Sequence, residues 1–150
     1  MNNKKIDPIE TSKYVINYLN GKGYTVNHLK LQKLLYYIEA WYSVFTNESL
    51  FGEKIEAWEH GPVIRKVWDY FKKYSILYNQ LPIDKNFKLK ATSEQIEIIN
   101  DVLDEYGNKS GYYLECLTHS EKPWQVAKKY GLPISRDIMI EFYRERLNGK

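Results

Sequence analysis

Leu31, Leu34, Leu35, Ile38, Trp41, Tyr42 and Phe45 recur at steps of three and four. That spacing places apolar side chains on one face of an α-helix and holds it for about four turns. Asn27, just before the run, is a good N-cap because its side-chain oxygen can accept an unpaired first-turn N–H. Whatever else the chain does, it must build a core against this face.

The remaining punctuation predicts what packs there. Asp7-Pro8-Ile9-Glu10 sets a capping Asp before a first-turn Pro, with Glu at the third helical position. Ile9, Ile16 and Leu19 mark the face of that helix, and Gly21 and Gly23 end it. Residues 53–58 alternate in polarity, as do residues 86–90, so the two pieces are expected to pair as a small ribbon with Pro62 and Pro82 outside it. Ile64, Val67, Trp68 and Phe71 form a further helical stripe, and residues 75–84 read as a loop. Thr92 and Gln95 make a capping box for a helix through Ile96, Ile99, Leu103 and Tyr106, stopped by Gly107. A short helix from Ser110 carries Tyr113, Leu114 and Leu117. Ser120 is expected to cap the next one, with Pro123 in its first turn and Gly131 at its end. Ser135 caps the last helix, with Ile138, Phe142 and Leu147 inward. The fold class is therefore mostly α (α+β by strict count). It is a single domain over residues 1–150, with six or seven helices and a minor two-stranded β element near residues 53–58 and 86–90.

Composition narrows the class of function. At 150 residues the chain can bury a real core without staples. Aromatic residues make up 15%, with 14 Tyr and 4 Trp, and such side chains suit partner surfaces as well as cores. Cys116 is the one cysteine, which excludes an internal disulfide and fits a reducing cytoplasm. No apolar run nears the roughly 18–20 residues that span a bilayer, and no apolar segment follows the charged N-terminus as in a secretory signal. A cytoplasmic protein without a membrane partner is expected. The net charge of +3 is spread among acids along every segment, which points away from nucleic acid.

Tests for catalytic chemistry are mostly negative. The glycines are scattered, most of them where helices should stop, with no phosphate cradle, and no Gly-x-Ser-x-Gly elbow occurs. Cys116 lies between Leu114 and Leu117, so it is expected to be a buried structural thiol despite the nearby His119. His28, His60, His119 and Cys116 lack the paired spacing of a zinc site. The carboxylate pairs Glu56/Glu59 and Asp104/Glu105 read as solvated edges. His60 in Trp58-Glu59-His60-Gly61-Pro62-Val63 is weighed as a ligand for an anionic or carbonyl group, and more simply as a lock on the turn before a helix. His119 has the same two readings. No metal, no cofactor and no enzymatic activity are expected.

Several of these runs together are recognisable. Leu31-Gln32-Lys33-Leu34-Leu35-Tyr36-Tyr37, then Leu50-Phe51, Ile55-Glu56-Ala57-Trp58, Gly61-Pro62-Val63 and Leu117-Thr118-His119-Ser120-Glu121-Lys122-Pro123-Trp124 resemble the Panacea domain of the SocA-like antitoxins, also called phage-associated or GepA-like proteins. The similarity covers about residues 9–142, with the motifs in the family's order. It implies a mostly helical bacterial or phage-borne antitoxin that neutralises, by direct binding, a cognate toxin encoded by a neighbouring gene. The family pairs one domain type with many unrelated toxins. No catalytic set comes with it, and no separate DNA-binding module is expected. Its partner-binding residues here are expected to be Lys33, Tyr36, His60, Arg65 and His119, held by Trp58, Gly61, Pro62 and Trp124 as scaffold. Residues 76–90 offer an alternative toxin-specific surface. Two other classes stay open: an adaptor that delivers a partner to a protease, and an enzyme using His60 and His119.

Overall fold

In the computed structural model, residues 4–74 and 80–149 are described. They form α1 (Pro8–Gly21), α2 (His28–Thr46), β1 (Glu56–Trp58), β2 (Gly61–Val63), α3 (Arg65–Phe71), α4 (Ser93–Tyr106), α5 (Gly111–His119), α6 (Lys122–Tyr130) and α7 (Arg136–Asn148). The mostly helical single unit with a two-stranded antiparallel element matches the expected fold class.

The expected caps are present where side-chain chemistry dictated them. Asp7 accepts the Glu10 N–H at 3.0 Å, and Asn27 accepts that of Lys30 at 2.8 Å. Thr92 and Gln95 close both halves of a capping box at 2.9 and 3.1 Å. Ser135 accepts the N–H of Ile138. Ser120 does not act as a cap for α6. Its hydroxyl donates back to the Leu117 carbonyl at 2.7 Å and ends α5. Glu121 occupies the N-cap position of α6 in extended conformation, yet its side chain makes no capping bond.

α2 is the axis of the molecule. The stripe predicted one apolar face, but residues 30–40 are buried all the way round, because α1, α3, α4, α5, α7 and β2 all pack on this helix. Its polar side chains are consequently interior, and two of them hold neighbouring backbone in place. Glu39 Oε1 accepts the N–H groups of Leu50 and Phe51 at 3.1 and 3.0 Å, while Oε2 accepts the Ser49 and Ser43 hydroxyls. Those bonds fix the chain as it leaves α2 for β1. Gln32 Oε1 accepts the Ile64 N–H at 2.9 Å, and its Nε2 points at the Ile64 carbonyl at 3.5 Å. Gln32 therefore fixes the junction between β2 and α3.

Three expectations fail for identifiable reasons. Residues 86–90 form no strand; β1 pairs with β2 instead, in the register Glu56↔Val63, Ala57↔Pro62 and Trp58↔Gly61. The alternation of Phe87 and Leu89 records an extended segment with one side against the body, which a two-residue period alone cannot distinguish from a paired strand. Pro62 thus lies inside the ribbon, tolerated because β2 has a free edge. Phe45 and Leu147, expected inward, are 53% and 48% exposed at the ends of α2 and α7. Cys116 is exposed rather than buried. The expected loop at 75–84 and the alternative surface at 76–90 fall partly on residues 75–79, which lie outside the described residues. From Leu81 onward that segment is tied to the body by the Leu81 N–H to the Val26 carbonyl at 2.9 Å.

Candidate functional site

The hairpin of β1 and β2 turns through Glu59 and His60 and returns at Gly61. Gly61 has φ of +120°, a region that L side chains rarely adopt. A Cβ at this position would stand 3.0 Å from Lys33 Cε and 3.3 Å from Thr118 Oγ1. Glycine is thus needed twice over, for backbone conformation and for the close approach of α2 and α5. Trp124 on α6 donates its indole N–H to the Trp58 carbonyl at 2.9 Å. Its ring stacks on His119 with centroids 4.1 Å apart. Trp58 packs edge-on against Trp68, and its indole N–H donates to Glu56 Oε1 at 2.8 Å. Trp58, Gly61 and Trp124 thus tie the turn to the helical body, and Pro62 lies buried in β2 beside them.

The five expected contact residues divide around that clamp. His60 is exposed, its Nδ1 3.1 Å from Glu115 on α5. Arg65 is exposed, 5.1 Å above the Trp58 ring and 3.3 Å from Glu56. His119 is half-buried against Trp124. Lys33 and Tyr36, expected at the surface, are only 1% exposed each. Burial of α2 on every side leaves no solvent face for them. Desolvation pulls the Lys33 ammonium down to about 8, opposed by the nearby Glu115 carboxylate. His60 and His119 thus sit on the same α5 side of the hairpin, each engaged in holding it. Among the described residues no group of three or more His, Cys, Asp or Glu side chains is placed to hold a metal ion. No helix among them is long and apolar enough to cross a membrane.

The sequence reading missed a groove of about 550 Å³ on the other flank of α5. Its walls come from α2, α4, α5 and α7, and they include Trp41, Phe45, Tyr106, Tyr113, Leu117 and Leu147. The Glu121 carboxylate also lines it, although the residue is only 8% exposed. Glu121 Oε1 accepts the Tyr37 hydroxyl at 2.8 Å and the Tyr143 hydroxyl at 2.7 Å. Tyr143 in turn accepts from Tyr36 at 2.9 Å, because its own proton is committed to the carboxylate. Tyr36 is therefore a member of an interior phenol–carboxylate chain. Burial raises the Glu121 carboxyl, against the lowering effect of the two phenols and of Arg146. The same burial drives the phenols of Tyr36, Tyr37 and Tyr143 upward, so they stay protonated donors. Tyr37 stacks face to face on Tyr106 with centroids 4.2 Å apart.

Between groove and hairpin, α5 exposes Tyr112 at 77%, Tyr113 at 50% and Cys116. The sequence signal for the groove was partial: Tyr113 and Leu117 step by four on α5, whereas Glu121 lies beyond that helix and its place on the groove follows from the chain bend at Ser120.

A family model described as "Antitoxin SocA-like, Panacea domain" matches residues 31–125, more than half of the chain. The matched span begins in α2, includes the hairpin and ends just after Trp124. Neither the curated proteins nor the solved structures include a match to this chain.

Proposed function

The chain belongs to the SocA-like antitoxin family defined by the Panacea domain, and from that premise we propose that it neutralises a toxin protein by direct, stoichiometric binding. Family membership carries this reading. The surface of α5 supports it, because large aromatic side chains standing in water are the usual anchors of protein interfaces. Tyr112 and Tyr113 supply the anchors, with His60, Arg65 and the edge of His119 along one flank. Lys33 and Tyr36 serve from beneath, Lys33 by supporting the hairpin turn and Tyr36 through the carboxylate chain. The partner is the product of a neighbouring gene, and the role is occlusion rather than catalysis. A rigid docking face suits this, since little ordering entropy is lost on binding.

The test is co-expression with that neighbour in a bacterial host, followed by purification. The neighbour alone is expected to arrest growth, this chain to restore it, and the two to co-purify at a fixed ratio. Tyr112→Ala combined with Tyr113→Ala should weaken the complex by more than about 1 kcal/mol per anchor. A neighbour that is harmless alone, or that stays toxic in the presence of this chain, overturns the reading. A partner that disappears only in protease-proficient cells replaces it with delivery for degradation.

A further inference from the structure

We infer that the groove lined by α2, α4, α5 and α7 is a seat for a basic side chain of the protein partner, held at its floor by the Glu121 carboxylate. The identity of the partner rests on the antitoxin reading; the chemistry of the seat does not.

Glu121 is more than nine-tenths buried, yet its carboxylate is only half used. Oε1 accepts two phenol protons, whereas Oε2 has no hydrogen-bond partner among the described residues, and Glu121 is one of the residues that line the groove. No Lys or Arg nitrogen stands within ion-pair distance of it among the described residues. Arg146, one of two basic residues in the lining, lies over the face of Phe142, its guanidinium carbon 3.6 Å from the ring centre. Arg146 acts on this carboxylate only from beyond ion-pair distance, so burial remains costly and a partner's cation in direct contact would recover part of that cost. The scaffold uses Oε1 alone, as the acceptor of two phenols, and a neutral amide oxygen would fill that role, so the charge itself is left for another purpose.

The walls suit the rest of the same ligand. Trp41, Tyr106 and Tyr113 are among the lining, and aromatic rings attract a desolvated ammonium or guanidinium. Leu117 and Leu147 offer apolar surface for the methylene stem of Lys or Arg. Oε1 is occupied by its two phenols, so the seat offers one free oxygen and recognises charge rather than a two-pronged fork. Among the other charged residues of the lining, Asp101 and Glu105 balance Lys109 and Arg146. The deep charge therefore sets the preference.

The experiment titrates the full chain with N-acetyl-arginine methylamide and N-acetyl-lysine methylamide. The neutral citrulline analogue serves as the isosteric control. The reporter is the NMR signal of the Trp41 indole N–H, which donates to the Tyr106 hydroxyl at 2.9 Å on the groove wall. Saturable shifts are expected from the cationic probes and not from citrulline. In Glu121→Gln the amide oxygen still accepts both phenols, so the thermal midpoint should hold while cationic binding weakens by at least about tenfold. Equal responses to charged and neutral probes, an unchanged response in Glu121→Gln, or no saturable response overturns the inference. The same variant is then co-expressed with the neighbouring toxin gene. Loss of protection by a folded Glu121→Gln chain supports the seat, whereas full protection overturns it and leaves the antitoxin reading standing. If the unsubstituted chain gives no protection, the antitoxin reading falls and the probe titration alone decides the seat.

Discussion

His28 should make the fold measurably acid-labile. It opens α2, is 1% exposed, and stacks on Trp68 with centroids 4.7 Å apart. Gln32 Nε2 lies 3.2 Å from His28 Nε2, and that amide nitrogen can only donate, so His28 Nε2 must be unprotonated. Nδ1 then carries the proton and is buried without a partner. Burial, with a smaller push from Lys33, lowers the imidazole from 6.5 to about 4. A histidine depressed in this way contributes stability that is intact above its unfolded value and lost as pH falls toward the folded one. Between about pH 7.5 and about pH 5 the linkage removes about 2 kcal/mol. For a chain of this size that is roughly 4–8 °C in thermal midpoint. Glu39 acts with the opposite sign: its carboxyl is raised, chiefly by burial, so its protonation as the pH falls favours the fold. The quantity to measure is therefore a difference. Thermal unfolding of the unsubstituted chain and of His28→Gln is followed by circular dichroism across this window. The variant loses the Trp68 stacking at every pH but cannot titrate. The gap between the two curves should narrow by about 2 kcal/mol on acidification. Parallel curves would show that His28 is not held neutral, and the burial argument would fail.

Two further substitutions test the hairpin clamp. Gly61→Ala puts an L side chain at φ of +120° with Lys33 Cε 3.0 Å away, so a loss of about 1–3 kcal/mol is expected in urea unfolding; an unchanged midpoint would refute the need for glycine. Gln32→Leu orphans the buried Ile64 N–H, bonded at 2.9 Å, while the 3.5 Å contact to the Ile64 carbonyl adds little. The expected cost is about 1–3 kcal/mol, with faster amide exchange at Ile64; exchange as slow as in the unsubstituted chain refutes the clamp.

The sequence made the helix ends most legible, because a cap is a local event. Asp7, Asn27, Thr92 with Gln95, and Ser135 each satisfy an N–H within three residues, and no distant part of the chain can alter that need. Long-range facts were less legible. The periodicity of α2 gave its inner face but not that five other helices and β2 would cover the outer one, so Lys33 and Tyr36 looked available when they are buried. Glu121 was hidden by a local reading. Beside Ser120 and Pro123 it looked like part of a helix start, whereas its side chain ignores the helix N-terminus and reaches Tyr37 and Tyr143, 84 and 22 residues away. Exposure of Cys116 follows from the same cause, since α5 packs through Leu114 and Thr118 and leaves the Tyr112–Cys116 side in solvent.

The placement of the family's motifs bears on how such a domain meets a partner. Leu31, Leu34, Leu35, Tyr36 and Tyr37 are interior, Gln32 holds a backbone junction, and Trp58, Gly61 and Trp124 close the hairpin on the helices. Those residues make the scaffold, and their substitution should cost stability before it costs recognition. The most exposed aromatics, Tyr112, Tyr130 and Phe45, lie outside the runs that carry the resemblance, so they can change without disturbing the core. Glu121 is different. It belongs to a motif run, is anchored to α2 and α7 through one oxygen, and lines the groove with the other oxygen left without a hydrogen-bond partner among the described residues. Scaffold and seat therefore share a single side chain. Glu121→Gln keeps the scaffold role and removes the charge, whereas Tyr112→Ala removes a surface anchor and leaves the interior untouched. If the partner is held as proposed, both should weaken the complex without lowering the thermal midpoint, and Gly61→Ala should do the reverse.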